Sequence, residues 1–222
     1  GHGGEQIRNE ISGEDIRWVV QEKQLGTGHA VQQALSGLRP DAVALVLYGD
    51  VPLVNPATLK QLVLSVGADN LALLTVTLEQ PTGYGRILRG NDGFVTSIVE
   101  QKDATEEQLR IDEVNTGIVA APVSHLARWL PALSSENAQG EFYLTDIVAM
   151  AYAEGVYVHA QSALGEAEVL GVNDRSQQAR LERIYQDKQA YALMAQGVTL
   201  MDPSRFDCRG RIIAGRDVLV DI

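Results

Sequence analysis

Apolar positions change period several times along the chain, and each change predicts an element. Ala30, Val31, Ala34, Leu35 and Leu38 fall on one face of a helix. The largely aliphatic run from Ala42 to Tyr48 predicts a strand covered on both sides. Asn55-Pro56 then supplies a cap and a first-turn proline for a helix that turns Leu59, Leu62, Val63 and Val66 inward. Leu71 to Leu78 predicts the next strand. This β-α-β-α order implies a largely parallel sheet covered by helices, because crossovers join strands of one direction.

A second pattern interrupts the first. Arg86 to Arg89 and Phe94 to Val99 flank Asn91-Asp92-Gly93, a turn sequence that predicts an antiparallel hairpin. The alternation then resumes with a strand at Thr116 to Ala121 and a helical stripe of Val123, Leu126, Ala127, Leu130 and Leu133. A second stripe follows at Leu144, Ile147, Val148 and Ala151, then a strand at Val156 to Ala160. Asp174 to Gln196 predicts a long helix stopped by Gly197. Beyond it, Val198 to Met201, Ile212-Ile213 and Val218-Leu219 are short aliphatic groups. The six-residue step between the last two fits either hexapeptide β-helix coils or a tail with two β-prone pairs.

Composition narrows the function classes. The chain is 45% hydrophobic and 21% charged over 222 residues, the balance of a compact globular unit. Lys plus Arg number 18 against 29 Asp plus Glu, and the resulting net charge of −11 argues against nucleic acid as a partner. A phosphorylated small molecule would need a divalent cation or a local basic group to offset that charge. There is no apolar run long enough to span a membrane and no charged-then-apolar leader. With the single cysteine, Cys208, these features fit a soluble protein of a reducing cytosol. His2, His29, His125 and His159 lack zinc-ligand spacing, and nothing in the sequence activates Cys208 as a nucleophile.

Individual motifs leave alternatives open. Asp50 closes the apolar run, where a strand end in an open sheet faces a ligand crevice, so it either holds a cation or sugar or starts the turn before Val51-Pro52. Gly26-Thr27-Gly28 precedes a helix, with Thr27 as its predicted cap; it serves an anion or only the helix end, and it is not a dinucleotide fingerprint. Gly83-Tyr84-Gly85-Arg86 and Asn115-Thr116-Gly117 either admit a ligand against backbone or satisfy turn geometry.

Taken in order, these pieces resemble one family. They are Gln21-Glu22-Lys23-Gln24-Leu25-Gly26-Thr27-Gly28-His29-Ala30, Leu47-Tyr48-Gly49-Asp50-Val51-Pro52, Pro81-Thr82-Gly83-Tyr84-Gly85-Arg86, Asn115-Thr116-Gly117, Gly140-Glu141-Phe142-Tyr143-Leu144-Thr145-Asp146 and Gly171-Val172-Asn173. The set is similar to the bacterial bifunctional N-acetylglucosamine-1-phosphate uridylyltransferase and glucosamine-1-phosphate N-acetyltransferase. The resemblance implies a Rossmann-like, GT-A-like α/β nucleotidyltransferase fold with a mixed, mostly parallel sheet and helices on both faces. It also implies transfer of UMP from UTP to N-acetylglucosamine 1-phosphate, giving UDP-N-acetylglucosamine and pyrophosphate. Gln21, Gln24, Gly26 and Thr27 would face uridine. Asp50 and Asn173 would act in catalysis by holding Mg²⁺. Tyr48, Gly85, Glu100, Asn115, Tyr143 and Thr145 would belong to the substrate site.

The family opens with a strand, a glycine-rich loop and a lysine that grip the triphosphate, and these 222 residues contain no counterpart. The chain ends where the family's acetyltransferase β-helix begins. The expectation is an internal fragment: residues 1–173 a partial nucleotidyltransferase domain, 174–197 a linker helix and 198–222 the start of a left-handed β-helix. Such a fragment would be marginally stable unless another chain completed its sheet, and inactive alone. Its parent would be a cytoplasmic homotrimer assembled through the absent β-helix. The competing reading is a non-catalytic sugar-nucleotide-binding fragment or subunit.

Overall fold

A computed structural model describes residues 3–221; Gly1, His2 and Ile222, which enter the predictions above, lie outside the described residues. The chain divides into two compact units, one of residues 1–48 and 55–166, the other of 49–54 and 167–222. No helix among the described residues is long and apolar enough to cross a membrane.

The first unit begins with α1 (Gly4–Glu10), which buries no side chain, and α2 (Thr27–Ala34). Its sheet comprises β1 (Val43–Val46), β2 (Leu71–Thr77), β3 (Arg86–Arg89), β4 (Val95–Val99), β5 (Glu113–Pro122) and β6 (Val158–Ser162). The long strand β5 organises it. One edge of β5 pairs β2 antiparallel, and β2 pairs β6 in parallel. The other edge meets β1 at residues 119–122 and β3 at Val114, and β3 carries β4 as the expected hairpin. These pairings make β1, β2, β3 and β6 run one way and β4 and β5 the other.

The sheet is therefore mixed. The crossover through α3 (Pro56–Ser65) does join two strands of one direction, β1 and β2, but β5 lies between them. Neighbouring strands are mostly antiparallel for that reason. β1 is also not covered on both sides: Val43 is exposed, its companions are half-buried, and β5 alone pairs it among the described residues. By contrast β2 is buried on both faces. Leu71 and Leu73 join Val119, Ala121, Ile87 and Ile98 beneath Leu126 and Trp129 of α4 (Val123–Trp129) and Ile147 and Val148 of α5 (Asp146–Ala153). Strand alternation turns Ala72, Leu74 and Val76 to the opposite face, against which α3 packs, with Leu62 and, just past the helix end, Val66 fully buried. Asn55 caps α3 as predicted, its side chain accepting from the Ala57 N–H at 2.9 Å.

In the second unit a short helix, α6 (Glu166–Val169), starts just before its boundary, and the long helix α7 (Arg175–Ala195) carries the packing. Asp174 caps α7 through Ser176 N–H and Gln177 N–H, both at 2.8 Å, and Gly197 at φ 94° ends the run. Leu193 and Ala190 pack on Val198, Leu200, Phe206 and Cys208. The buried Gln186 carboxamide accepts from Cys208 N–H at 2.7 Å and donates to its carbonyl at 3.2 Å, fixing the C-terminal segment to α7. That segment contributes only a two-residue parallel pair, β7 (Thr199–Leu200) with β8 (Leu219–Val220). Ile212 and Ile213 remain exposed outside any strand, so repeated β-helix coils are not formed among the described residues.

One irregularity in β5 matters more than any regular element. Leu73 pairs Val119 whereas Thr75 pairs Asn115, so β5 bulges between those pairs, with Gly117 at φ 81°. Bulges of this kind bend a strand and re-aim its side chains. The buried Thr116 hydroxyl bridges the interruption: it donates to Leu74 C=O at 2.7 Å and accepts from Ile118 N–H at 3.3 Å. Thr116→Val is expected to cost about 1–3 kcal/mol, because it leaves buried backbone groups without that hydroxyl, while Thr116→Ser stays near wild type. Urea unfolding midpoints measure both; an unshifted Thr116→Val midpoint would show that the hydroxyl does not sustain the bulge.

Candidate functional site

A polar cavity of about 230 Å³ opens in the first unit. Thr27, at the start of α2, and Tyr48, just past β1, form part of its wall. Gly85 enters β3 there, Glu100 leaves β4, and Asn115 precedes the β5 bulge. Tyr143 and Thr145, ahead of α5, complete the predicted residues that it gathers.

Steric fit at glycine fixes this arrangement. The Tyr48 ring lies on Gly117: a Cβ there would fall 1.9 Å from Tyr48 Cε2. Gly117 N–H donates to Asn115 Oδ1 at 3.1 Å, and Asn115 N–H donates to Gly85 C=O at 2.8 Å. A Cβ on Gly85 would sit 2.9 Å from Ile98 Cγ2 and 3.3 Å from Glu100 Oε2, so the loop before β3 is pressed onto the Glu100 carboxylate. From the far side the Thr145 hydroxyl donates to Glu100 Oε1 at 3.0 Å.

The Gly26-Thr27-Gly28 loop has a different role from the predicted cap. The cap position is Gly26, with no side-chain cap bond, and Thr27 Oγ1 instead accepts from Leu144 N–H at 3.0 Å. Gly28 N–H donates to Phe142 C=O at 2.9 Å and Phe142 N–H to Leu25 C=O at 2.8 Å. A Cβ on Gly26 would meet Phe142 O at 2.6 Å, which is why that position takes glycine. The loop thus anchors the segment carrying Tyr143 and Thr145. Gln21 braces it, donating to Gly26 C=O at 3.1 Å and meeting His29 Nδ1 at 3.0 Å. Gln21, Gln24 and Gly26 are not part of the cavity wall, and Gln24 is exposed.

The wall is acidic. Burial lifts the Glu100 carboxyl above the usual carboxylate range against the opposing Thr145 hydrogen bond, and the charges of Asp146 and Asp103 add to the rise. Asp146 is raised by burial and then by Asp103. The Tyr143 hydroxyl donates to Asp103 Oδ2 at 3.4 Å, and burial followed by the Asp103 charge pushes its pKa up. Asp103 Oδ1 also accepts from Ala138 N–H at 2.9 Å. Sequence reading missed Asp103, the partner of the Tyr143 hydroxyl, and named Glu141 and Gly117 only within motifs, without assigning either to the substrate site. Asp103 could have been sought three residues beyond Glu100, but nothing local links it to Tyr143. Such a cavity can bind and orient hydroxyl and amide groups; Glu100, Asn115 and Thr145 offer acceptors and donors, and no nucleophile–base pair lines it.

Asp50 and Asn173 lie in the second unit. Val172 N–H donates to Asp50 C=O at 2.9 Å, and a Cβ on Gly171 would lie 3.7 Å from Asp50 Oδ2. The carboxylate segment and the Gly171-Val172-Asn173 segment are therefore stitched side by side, with Asp50 and Asn173 both exposed. Among the described residues no group of three or more His, Cys, Asp or Glu forms a metal cage. A carboxylate and a carboxamide oxygen are nonetheless donor types that Mg²⁺ accepts, since it keeps several waters and takes few protein oxygens.

Comparison with known proteins bears on this geometry. The family model described as MobA-like NTP transferase domain matches residues 2–200. The bifunctional protein GlmU of Cellvibrio japonicus is 58% identical over 222 residues, covering 100% of this chain and 49% of its own length. Those of Saccharophagus degradans and Pseudomonas entomophila are 55% and 56% identical with the same coverage. The chain spans about half the length of the curated relatives it matches. Among solved structures, a Bacillus anthracis protein provisionally assigned as a glucose-1-phosphate thymidylyltransferase, crystallised with sucrose, superposes with a TM-score of 0.60. At 18% identity, covering 81% of this chain and 67% of that one, the likeness speaks for the nucleotidyltransferase fold alone.

The raised Glu100 pKa has a defined sign in stability. The native carboxyl holds its proton more tightly than the unfolded one, so stability is lost as pH rises from the unfolded value through the native one. Glu100→Gln keeps an acceptor for Thr145 and removes the buried charge. It is expected to raise the urea midpoint above wild type at roughly pH 7.5 and to match wild type near pH 4. A constant difference at both pH values would separate the effect from ionisation.

Proposed function

The chain belongs to the MobA-like NTP transferase domain family, and from that premise we propose that it carries the sugar pocket and metal ligands of a uridylyltransferase. The reaction joins UMP from UTP to N-acetylglucosamine 1-phosphate, giving UDP-N-acetylglucosamine and releasing pyrophosphate. One observation carries the reading: residues remote in sequence, from Thr27 to Thr145, meet around a single polar cavity. Identity above 50% to several GlmU proteins supports the choice of substrates.

Substitution at the α-phosphorus requires the attacking sugar phosphate and the leaving pyrophosphate in line and needs no nucleophilic side chain. In this reading Glu100, Asn115 and Thr145 hold the hydroxyl and acetamido groups of the sugar, and Tyr48 and Tyr143 flank it. Thr27 lies toward the nucleotide, with Gln21, Gln24 and Gly26 in the loop that carries it. Asp50 and Asn173 hold Mg²⁺, which when bound offsets the charge of the phosphates. We also take residues 1–173 as the catalytic portion, α7 as a linker helix and the β7–β8 pair as the opening of a left-handed β-helix through which a cytoplasmic protein would trimerise.

The absence of Lys and Arg from the cavity wall favours a second reading. In it, the chain belongs to a non-catalytic sugar-nucleotide-binding fragment or subunit, which stays inactive at any length. Pyrophosphate release from UTP and N-acetylglucosamine 1-phosphate with Mg²⁺ separates the two. The 222-residue chain is expected to be inactive, and the protein extended to the length of its relatives active; inactivity of both would overturn the assignment. In the extended protein Asp50→Ala is expected to reduce turnover on the order of 100-fold or more, since metal stabilisation is worth several kcal/mol. Its circular dichroism and sugar-nucleotide binding should persist. Near-normal turnover would remove Asp50 from the site.

A further inference from the structure

We infer that Arg86 and Gln101 are positioning residues that set the spacing between the Gly83-Tyr84-Gly85 wall of the cavity and the Glu100 carboxylate, and through it the affinity for the sugar. The inference rests on the sugar-pocket reading above and extends it to side chains outside the cavity wall.

Arg86 is the first residue of β3 and is 2% exposed. Burying a guanidinium is costly unless its donors are used. Here the guanidinium turns back on its own loop: Nη1 donates to Tyr84 C=O, and Nη2 donates to Gln101 Oε1 at 2.9 Å. The same Gln101 oxygen accepts from Gly83 N–H at 3.1 Å. The buried Nε finds no hydrogen-bond partner among the described residues. Two backbone groups of the loop are thus held by one pair of side chains, and Gly85 C=O is held separately by Asn115 N–H.

The chain position of Gln101 gives the arrangement its meaning. It directly follows Glu100, whose carboxylate lies against the Gly85 Cα on one side and the Thr145 hydroxyl on the other. Consecutive side chains at the end of β4 therefore touch the loop at two places, the carboxylate at Gly85 and the carboxamide at Gly83. A shift of the loop changes the gap between its backbone and Glu100, and displacements near 1 Å are enough to degrade a binding constellation. Arg86 fastens the carbonyl between those two contacts. Only the oxygen of Gln101 is used in these bonds, so a carboxylate can replace the carboxamide whereas an isosteric apolar group cannot.

The test compares Gln101→Leu and Gln101→Glu with wild type by calorimetric titration of the 222-residue chain with UDP-N-acetylglucosamine and with UDP, alongside thermal unfolding. Gln101→Leu is expected to bind UDP-N-acetylglucosamine about tenfold more weakly while UDP affinity stays within about twofold; Gln101→Glu should recover sugar-nucleotide affinity to within about threefold. Equal loss for both ligands, or a Gln101→Glu variant as weak as Gln101→Leu, would reduce the pair to a structural role and overturn the inference. So would a Gln101→Leu variant that binds UDP-N-acetylglucosamine like wild type. Wild type that binds no UDP-N-acetylglucosamine would bring down the sugar-pocket reading itself, together with this inference.

Discussion

The bulge in β5 is the constraint on which the first unit depends. Two interruptions of regular pairing coincide there: Gly117 adopts a positive φ, and the Thr116 hydroxyl supplies a bond to Leu74 C=O where the ladder breaks. A regular β5 would carry Asn115 and Gly117 on the alternation of the rest of the strand and offer no flat backbone for the Tyr48 ring. Regular pairing flanks the bulge on both edges, with β2 at Asn115 and Val119 on one side and with β3 at Val114 and β1 at Val119 on the other. Departures from local regularity tend to gather where function is built.

Close approach of backbone to side chain is the second recurrent device. Gly117 receives an aromatic ring and Gly85 a carboxylate, whereas Gly26 meets the backbone of Phe142. Each contact joins a loop to an element distant in sequence. In the Gly26-Thr27-Gly28 loop the Gly28 N–H is directed to Phe142 C=O and the threonine hydroxyl accepts from Leu144 N–H, so the loop serves as a joint between segments.

Much of the fold was legible in the sequence where periodicity is strong. The α3 cap at Asn55, the β3–β4 hairpin and the long helix behind Asp174 all follow from local rules, because their determinants lie within a few residues of one another. The sheet order did not follow. Two strands linked by a helix run in one direction, but nothing in β1, α3 or β2 reveals that β5 separates them. The exposure of β1 was misread for the same reason, as an aliphatic run such as Ala42 to Tyr48 looks alike whether it is paired on one edge or two. For the site, motif resemblance drew Tyr48, Gly85, Glu100, Asn115, Tyr143 and Thr145 into one set, while Asp103 and Gln101 act through contacts that no spacing encodes.

Charge imposes the last requirement on any ligand. The protein carries a net charge of −11, and around the cavity the burial of Glu100 and Asp146 together with neighbouring Asp103 already raises the cost of ionising these carboxyls. Adding a phosphate among them would raise it further, whereas a neutral sugar ring with hydroxyl and amide groups meets suitable partners there. In the proposed reading a sugar phosphate would use this cavity through its neutral portion, and its charged portion would need compensation from a cation. The Asp50 and Asn173 segments, joined through Val172 N–H and Asp50 C=O, carry a carboxylate and a carboxamide, oxygen donors of the types a divalent cation accepts. Under the proposed function, the acidic character of the chain would then act in selectivity, disfavouring phosphates that arrive without a metal while leaving a neutral sugar to be read by hydrogen bonds.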